Sequence, residues 1–202
     1  MTNPKKKVCE LQVSITVNNK EYHIRNNGDF RMVLDCFQIL NDVELSEKER
    51  VVALIIIFFE DFNSVDDVLS VPAEEIQELA NGAFLFFNCG QHKSPMAETN
   101  YKTIDWEQDA QLISSAVNKV AGKEIRAEQY LHWWTFIGYF NAVGESALAT
   151  VVSIRNKIAK GKKLEKHEVE FKRNNPQYFN WDMRTLKQKE DDELLNQLWN
   201  KE

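Results

Sequence analysis

The chain has 202 residues, of which 43% are hydrophobic and 11% aromatic, and its formal net charge is −6 at pH 7. This is an ordinary globular composition, so we expect one sizeable core or two smaller lobes, and extensive disorder is excluded. The longest unbroken apolar stretch covers residues 51–59, far fewer than the roughly 20 residues that a membrane-spanning helix needs, so no membrane segment is predicted.

Turn residues are sparse along the chain, with only 7 glycines and 4 prolines, which favours helices over a many-stranded fold. The first elements are the exception, because residues 11–17 alternate as LQVSITV and the alternation resumes in KEYHI. Asn18 and Asn19 between them suit a tight turn. We therefore predict one β-hairpin, which must lie on a helical body because two strands alone are marginally stable.

Helix-start signals follow the hairpin. Asp29 is a suitable N-cap residue for a helix with one apolar face. That face comprises Phe30, Val33, Leu34, Phe37 and Leu40. Ser46 and Glu49 fit a capping box that begins a second helix, although the β-branched residues of VVALIIIFFEDF would also permit a buried strand. Residues 64–69 predict a short helical turn, and Pro72 is placed at the first position of a further helix.

A polar segment without periodicity, residues 91–104, is the predicted linker between two lobes. The N-terminal lobe, residues 1–90, would contain the hairpin and the first helices. The C-terminal lobe, residues 105–202, would contain three helices joined by short connections, which favours an antiparallel helical bundle. Asp105 is expected to cap the first of these helices and Gly122 to end it. The predicted fold class is mainly α, with an N-terminal hairpin followed by helices.

The central helix of that lobe is unusually aromatic, and Gly144 is expected to close it. Its apolar residues are Leu131, Trp133, Trp134, Phe136, Ile137, Tyr139 and Phe140. They surround the helix on every side, so it must be buried either in a core or against a partner protein. His132 lies among them, where a satisfied, partly buried histidine is expected rather than a metal ligand or a general base.

The last segment of the chain, EDDELLNQLWNKE, carries an apolar stripe. The stripe consists of Leu194, Leu195, Leu198 and Trp199, which we predict as partner-binding residues. Either this segment folds back onto the bundle or it is a helix offered to a groove on another protein.

Charge is distributed unevenly along the chain. Residues 41–78 contain 11 acidic and 2 basic residues, whereas residues 155–173 contain 8 basic and 3 acidic residues. These segments are either two solvated faces or complementary surfaces between lobes or between copies, which would allow self-association. The basic segment could also contact phosphates through Lys157, Lys160, Lys162, Lys163 and Lys166. Because three glutamates interrupt it and the whole chain is acidic, nucleic-acid binding is disfavoured.

The sequence contains no recognisable catalytic, cofactor-binding or metal-binding motif, and we predict a protein that is not an enzyme. Cys89 and His92 form a lone pair without the further ligands that a zinc site needs, and the HEVEF segment at His167 lacks the second histidine of a metalloprotease motif. The odd number of cysteines indicates free thiols in a reducing compartment. The lysine-rich start has no apolar region behind it, so we expect the protein to stay in the cytosol.

Four segments carry a family resemblance. These are DWEQDA (105–110), AGKEIR (121–126), YLHWWTF (130–136) and IRNKIAKGKKL (154–164). Together with VNNKEYHIRNNGDFRMVL (17–34), they resemble a family of small late proteins encoded by siphophages of Gram-positive bacteria. The resemblance covers most of the chain. Its most specific part is the segment 130–136, which we call the aromatic block.

The resemblance implies a non-enzymatic tail assembly chaperone in the host cytoplasm. Proteins of this type would keep the long tape-measure protein soluble while tail tube subunits polymerise around it, so the expected partners are the tape-measure protein and the tail tube protein. One alternative is a structural virion tail component or adaptor. A second is a nucleic-acid-binding regulatory protein built on the basic segment.

Overall fold

The computed structural model describes residues 10–92 and 101–180, together with positions 182, 184, 185, 188 and 189. These residues form a two-stranded antiparallel hairpin followed by eight α-helices, which confirms the predicted mainly α fold class. The elements are β1 (Ser14–Val17), β2 (Lys20–His23), α1 (Phe30–Leu40), α2 (Glu47–Phe58), α3 (Val65–Leu69), α4 (Ala73–Phe87), α5 (Ala110–Ala121), α6 (Trp133–Asn141), α7 (Ala147–Ala159) and α8 (Lys166–Asn174). In this described part, no helix has the length and apolar character needed to cross a membrane.

The chain divides into two compact units. The first combines Met1–Ser94 with Tyr130–Phe136, and the second combines Pro95–Gln129 with Ile137–Glu202. Helix α6 therefore contributes its first residues to one unit and its remainder to the other. The lobe boundaries predicted from the sequence, 1–90 and 105–202 around a linker at 91–104, remain a prediction, and residues 93–100 of that linker lie outside the described part.

In the first unit, the hairpin packs on a helix as expected. Asn18 and Asn19 adopt positive φ angles of 50° and 63°, which is the conformation that a tight hairpin turn requires. The buried face of β1 lies against α4, where a Cβ atom on Gly82 would come within 2.9 Å of the Ile15 side chain. Glycine at this position thus permits the strand and the helix to approach closely.

The predicted helix starts of the first unit are largely confirmed. The Asp29 carboxylate accepts a hydrogen bond from the backbone N–H of Arg31, and Ser46 and Glu49 form the reciprocal capping box. The segment after Ser46 is therefore a helix and not the alternative buried strand. The prediction for Pro72 was wrong by one position, because Pro72 is the N-cap residue and α4 begins at Ala73.

The core of the first unit is built largely from aromatic rings. Its buried rings are Tyr22, Phe30, Phe58, Phe59, Phe62, Phe86, Phe87, Trp133 and Phe136. Phe30 stacks on Phe136 with 4.7 Å between ring centroids, and Phe58 meets Phe86 and Phe87 edge-on. Such pairs add about 0.5–1.5 kcal/mol each beyond the area that they bury.

In the second unit, α5 packs against α7, as a helical bundle requires. The expected start of α5 after Asp105 was wrong, since the helix begins at Ala110. Asp105 instead caps a separate turn by accepting hydrogen bonds from the backbone N–H groups of Glu107 and Gln108. Gly122 ends α5 with φ of 69°, as predicted.

A buried ion pair joins these two helices. Arg155 on α7 contacts Asp109, the residue before α5, at 2.5 Å and 2.9 Å, and both side chains are almost completely buried. The same guanidinium group donates to the backbone carbonyls of Thr103 and Tyr178. Arg155 therefore fastens two irregular segments to the α5–α7 pair.

Candidate protein-binding surfaces

The partner-binding residues predicted from the sequence were Leu194, Leu195, Leu198 and Trp199. All four lie outside the described residues, so the stripe remains a prediction. The structure instead allows the aromatic block, the charged segments and the exposed apolar surfaces to be located.

The start of the aromatic block belongs to a protein core and is not an open surface. Trp133 and Phe136 are each 1% exposed. The indole N–H of Trp133 donates to the Phe87 carbonyl at 3.0 Å, and that of Trp134 donates to the Phe86 carbonyl at 2.9 Å. Of the two readings left open by the sequence, the structure supports burial in a core for these residues. The end predicted for this helix, at Gly144, was wrong, because α6 ends at Asn141.

The two indole hydrogen bonds lie at the C-terminal end of α4. Phe86 and Phe87 are the last residues of α4, and the final carbonyls of a helix have no partner within the helix. Trp133 supplies a donor to the Phe87 carbonyl, and Trp134 supplies a further donor to the Phe86 carbonyl, which also accepts from the backbone N–H of Cys89. Trp133 and Trp134 therefore cap α4 and attach the segment Tyr130–Phe136 to it.

Asp29 attaches the same segment at a second point. Its carboxylate accepts a hydrogen bond from the backbone N–H of Leu131 at 2.8 Å in addition to its bonds with Arg31. The backbone N–H of Phe30 donates in turn to the Leu131 carbonyl. The local sequence predicts Asp29 only as a helix cap, because no local pattern indicates a partner 102 residues away.

His132 is buried and satisfied at both ring nitrogens, as the sequence suggested. Its Nδ1 atom lies 3.0 Å from the backbone N–H of Trp134 and therefore accepts that hydrogen bond, and its Nε2 atom lies 3.0 Å from the Gln12 carbonyl. Since a carbonyl can only accept, Nε2 carries the proton and the ring is the neutral tautomer. Burial lowers the pKa of His132 below its ordinary value.

This geometry predicts a pH dependence of stability. Below about pH 6.5 the unfolded chain binds a proton at His132 before the folded chain does, so the free energy of unfolding should fall from this pH down to the folded-state pKa. Replacement of His132 by asparagine should flatten the dependence, because the amide oxygen can still cap Trp134 but does not titrate. Urea unfolding of both proteins between about pH 7.5 and 5 measures the difference. Equal slopes would contradict this assignment.

An apolar groove with acidic surroundings lies between α2 and α3. Its volume is about 480 Å³, and we call it the acidic groove. Its lining residues are Leu45, Lys48, Glu49, Val52, Ala53, Ile56, Val65 and Leu69. Val65 and Leu69 are 52% and 64% exposed, which is unusual for large apolar side chains placed together.

The negative charge near the acidic groove is retained to lower pH than that of isolated carboxylates. The exposed acidic residues between positions 44 and 67 are Glu44, Glu47, Glu49, Glu60, Asp61, Asp66 and Asp67, and the exposed basic residue among them is Lys48. A hydrogen bond from the Ser46 side chain lowers the pKa of Glu49, and the backbone N–H of Asn63 lowers that of Asp67. Both carboxylates therefore stay ionised to lower pH than isolated ones. A ligand of this groove should be apolar and basic.

A second apolar surface lies on the C-terminal half of α4 and differs in charge. Its lining residues are Asn81, Gly82, Phe84, Leu85, Asn88, Gln91 and His92, around a volume of about 460 Å³. We call it the Phe84 surface, because Phe84 lines it and is 41% exposed. Its polar residues are mostly amides without formal charge, so it suits a neutral apolar ligand.

The basic segment 155–173 is partly committed to internal contacts. Arg155 is buried in its pair with Asp109, and Lys157 bonds the carboxylate of Glu168 at 2.7 Å and 2.8 Å. Of the five lysines that sequence analysis proposed as phosphate contacts, Lys157 thus already has an acidic partner in the protein. Lys160, Lys162, Lys163 and Lys166 are exposed.

The possible metal ligands in the described part of the chain do not form a cluster. Within that part, no group of three or more His, Cys, Asp or Glu residues is arranged to hold an ion. Cys36 is buried, and burial raises the pKa of its thiol, so it behaves as a small core residue.

The sequence is similar to a known protein family. The family model described as Bacteriophage Gp15 protein matches residues 8–179, which is most of the chain. No curated protein and no solved structure matches.

Proposed function

This chain belongs to the bacteriophage Gp15 protein family, and on that premise we propose that it is a non-enzymatic tail assembly chaperone. Membership of the family supports a structural or assembly role in a phage. The finer proposal is that the protein binds the tape-measure protein in the host cytoplasm and keeps it soluble while the tail tube assembles. The described apolar surfaces and the sequence resemblance support this finer role.

The observation that carries the proposal is the Phe84 surface. A chaperone of a long helical client needs exposed apolar side chains that cover the client's own apolar stripe. Phe84 offers an aromatic ring with open space beside it, and the surrounding amides of Asn81, Asn88 and Gln91 can bond a polar flank without selecting its charge. One contact of this size is weak, so several copies bound along one client would be needed.

The C-terminal stripe is proposed as a second client contact. Its four apolar residues at helical spacing could lie along a client helix in the same way as other amphipathic partner helices. Removing residues 190–202 should then lower client solubility without unfolding the two units, whose helices α1 to α8 lie within residues 30–174.

Co-expression with the tape-measure protein of the same phage tests the proposal. We expect the wild-type chain to increase the soluble fraction of the tape-measure protein and to co-purify with it. Phe84→Ser and truncation after Lys189 should each reduce both quantities several-fold. Val120→Ser, which alters a comparably exposed apolar residue on α5, is the matched control and should behave as the wild type.

Two outcomes would contradict the proposal. The first is failure to recover any complex at both low and moderate salt. The second is the presence of the protein at fixed stoichiometry in purified virions, which would indicate a structural tail component instead of a chaperone that leaves.

A further inference from the structure

The acidic groove needs a ligand that is apolar along one side and positively charged at its edges. The chain's own C-terminal segment does not meet this requirement, because residues 190–202 contain five acidic residues and one lysine. Like charges would oppose its docking beside Glu49 and Asp66. The occupant must therefore come from a basic surface.

Helix α8 has such a surface. Val169 is 52% exposed in the middle of the helix, and Lys166 and Arg173 lie three residues before and four residues after it, on the same helical face. Lys172 is also exposed beside this face, and Glu170 borders it on the other side. We call Lys166, Val169, Lys172 and Arg173 the basic face of α8.

The orientation of the basic face is fixed by contacts on the opposite side of the helix. Glu168 is buried and accepts two hydrogen bonds from Lys157 on α7. Phe171, which is half-buried, meets the ring of Phe179 edge-on. These contacts leave Val169 and its neighbouring cations exposed to solvent.

From these two surfaces we propose that the protein self-associates head to tail, with α8 of one copy bound in the acidic groove of the next. Val169 and the aliphatic stems of the lysine side chains contact Val65 and Leu69. The cations at the edges of α8 face the carboxylates around the groove. The opposite net charges of residues 41–78 and 155–173 then attract each other between neighbouring copies.

Such an interface joins two different surfaces, so each copy retains one free groove and one free α8. Heterologous contacts of this kind produce open chains, or rings where the rotation closes. The interaction depends on exposed charges, which are screened over about 10 Å at 0.1 M salt and over about 3 Å at 1 M. Assembly should therefore increase with protein concentration and decrease steeply with salt.

The self-association does not depend on the proposed chaperone role, but it would deepen that role. An assembly of several copies would carry one Phe84 surface per copy, so that several weak contacts could act together on one long client. A protein that binds the client but does not self-associate would contradict only the self-association. A protein that self-associates but does not bind the client would contradict only the chaperone role.

The test uses the full chain and two paired variants. The groove variant carries Val65→Lys and Leu69→Lys, and the helix variant carries Val169→Glu and Arg173→Glu. The first pair and Val169 are well exposed, so the fold should tolerate the changes, and circular dichroism checks this. The matched controls are Leu11→Lys with Val13→Lys, and Lys119→Glu with Val120→Glu, which alter exposed residues elsewhere.

Sedimentation velocity gives the mass of each protein over a range of concentrations and salt. The wild type and both controls should exceed the monomer mass of 23.6 kDa at low salt and return to it at about 1 M NaCl. The groove and helix variants should each remain monomeric alone. Mixed together they should form a 1:1 dimer that grows no further, because the helix variant contributes an intact groove and the groove variant an intact α8.

Three results would overturn the proposal. A wild-type chain that stays monomeric at low salt and high concentration has no such interface. Assembly by the groove variant would place the contact elsewhere, and Leu69→Lys alone checks this if the double variant does not fold. A mixture of the two variants that stays monomeric would exclude head-to-tail pairing.

Discussion

Replacing Trp133 with alanine is expected to lower the free energy of unfolding of the first unit by about 3–5 kcal/mol, which is typical of removing a large buried aromatic side chain. Trp133 is 1% exposed, stacks on Phe136 and meets Phe37 edge-on. Its loss would leave a cavity in the core and remove the indole donor from the Phe87 carbonyl at the end of α4. Urea unfolding followed by circular dichroism measures the change.

Two comparison variants separate the contributions to this effect. Trp133→Phe keeps an aromatic ring but removes the donor, so we expect a smaller loss of about 1–3 kcal/mol, the cost of leaving a buried carbonyl unpaired. Phe84→Ala removes a side chain that is 41% exposed and should cost less than the Trp133 change. A Trp133→Ala variant no less stable than Phe84→Ala would mean that the aromatic block is not part of the core.

The elements that could be predicted from the sequence are those fixed by neighbouring residues. The turn at Asn18 and Asn19, the capping box of Ser46 and Glu49 and the end of α5 at Gly122 each depend on residues within one or two turns. Their chemistry is complete in the local sequence, so the pattern and the structure agree.

The features that the local sequence did not indicate depend on distant partners. The first turn expected for α5 is a separate turn, because the Asp109 carboxylate also bonds the backbone N–H of Asp105 while it pairs with Arg155. Similarly, the assignment of Tyr130–Phe136 to the first unit follows from contacts with Asp29 and with the end of α4. Periodicity shows that such residues are apolar or polar, but it does not show which distant residue they meet.

The candidate surfaces could be predicted only in part from the sequence. The charge contrast between residues 41–78 and 155–173 was visible, and so was the helix start at Ser46. A signal for the acidic groove was present in the four-residue spacing of Val52 with Ile56 and of Val65 with Leu69. What was missing was the packing of α2 against α3, which brings these two rows together and leaves the space between them open.

The second large effect is expected at the buried ion pair of the second unit. Arg155→Met should lower the free energy of unfolding by about 3–5 kcal/mol, because it leaves the Asp109 carboxylate buried without its charged partner. Arg155 also donates to the Thr103 and Tyr178 carbonyls, so those irregular segments would lose an attachment. The matched control is Lys123→Gln, which removes an ion pair with Glu128 at the protein surface and should cost less than about 1 kcal/mol.

A double-variant cycle tests whether the loss comes from the unpaired charge or from lost packing. Asp109→Leu combined with Arg155→Met removes both charges and supplies apolar volume, so the double variant should be more stable than the sum of the two single changes predicts. Recovery should be incomplete, because the carbonyls of Thr103 and Tyr178 still lack a donor. Strict additivity of the two single losses would show that Asp109 and Arg155 act independently, and the pair could not then be what joins α5 to α7.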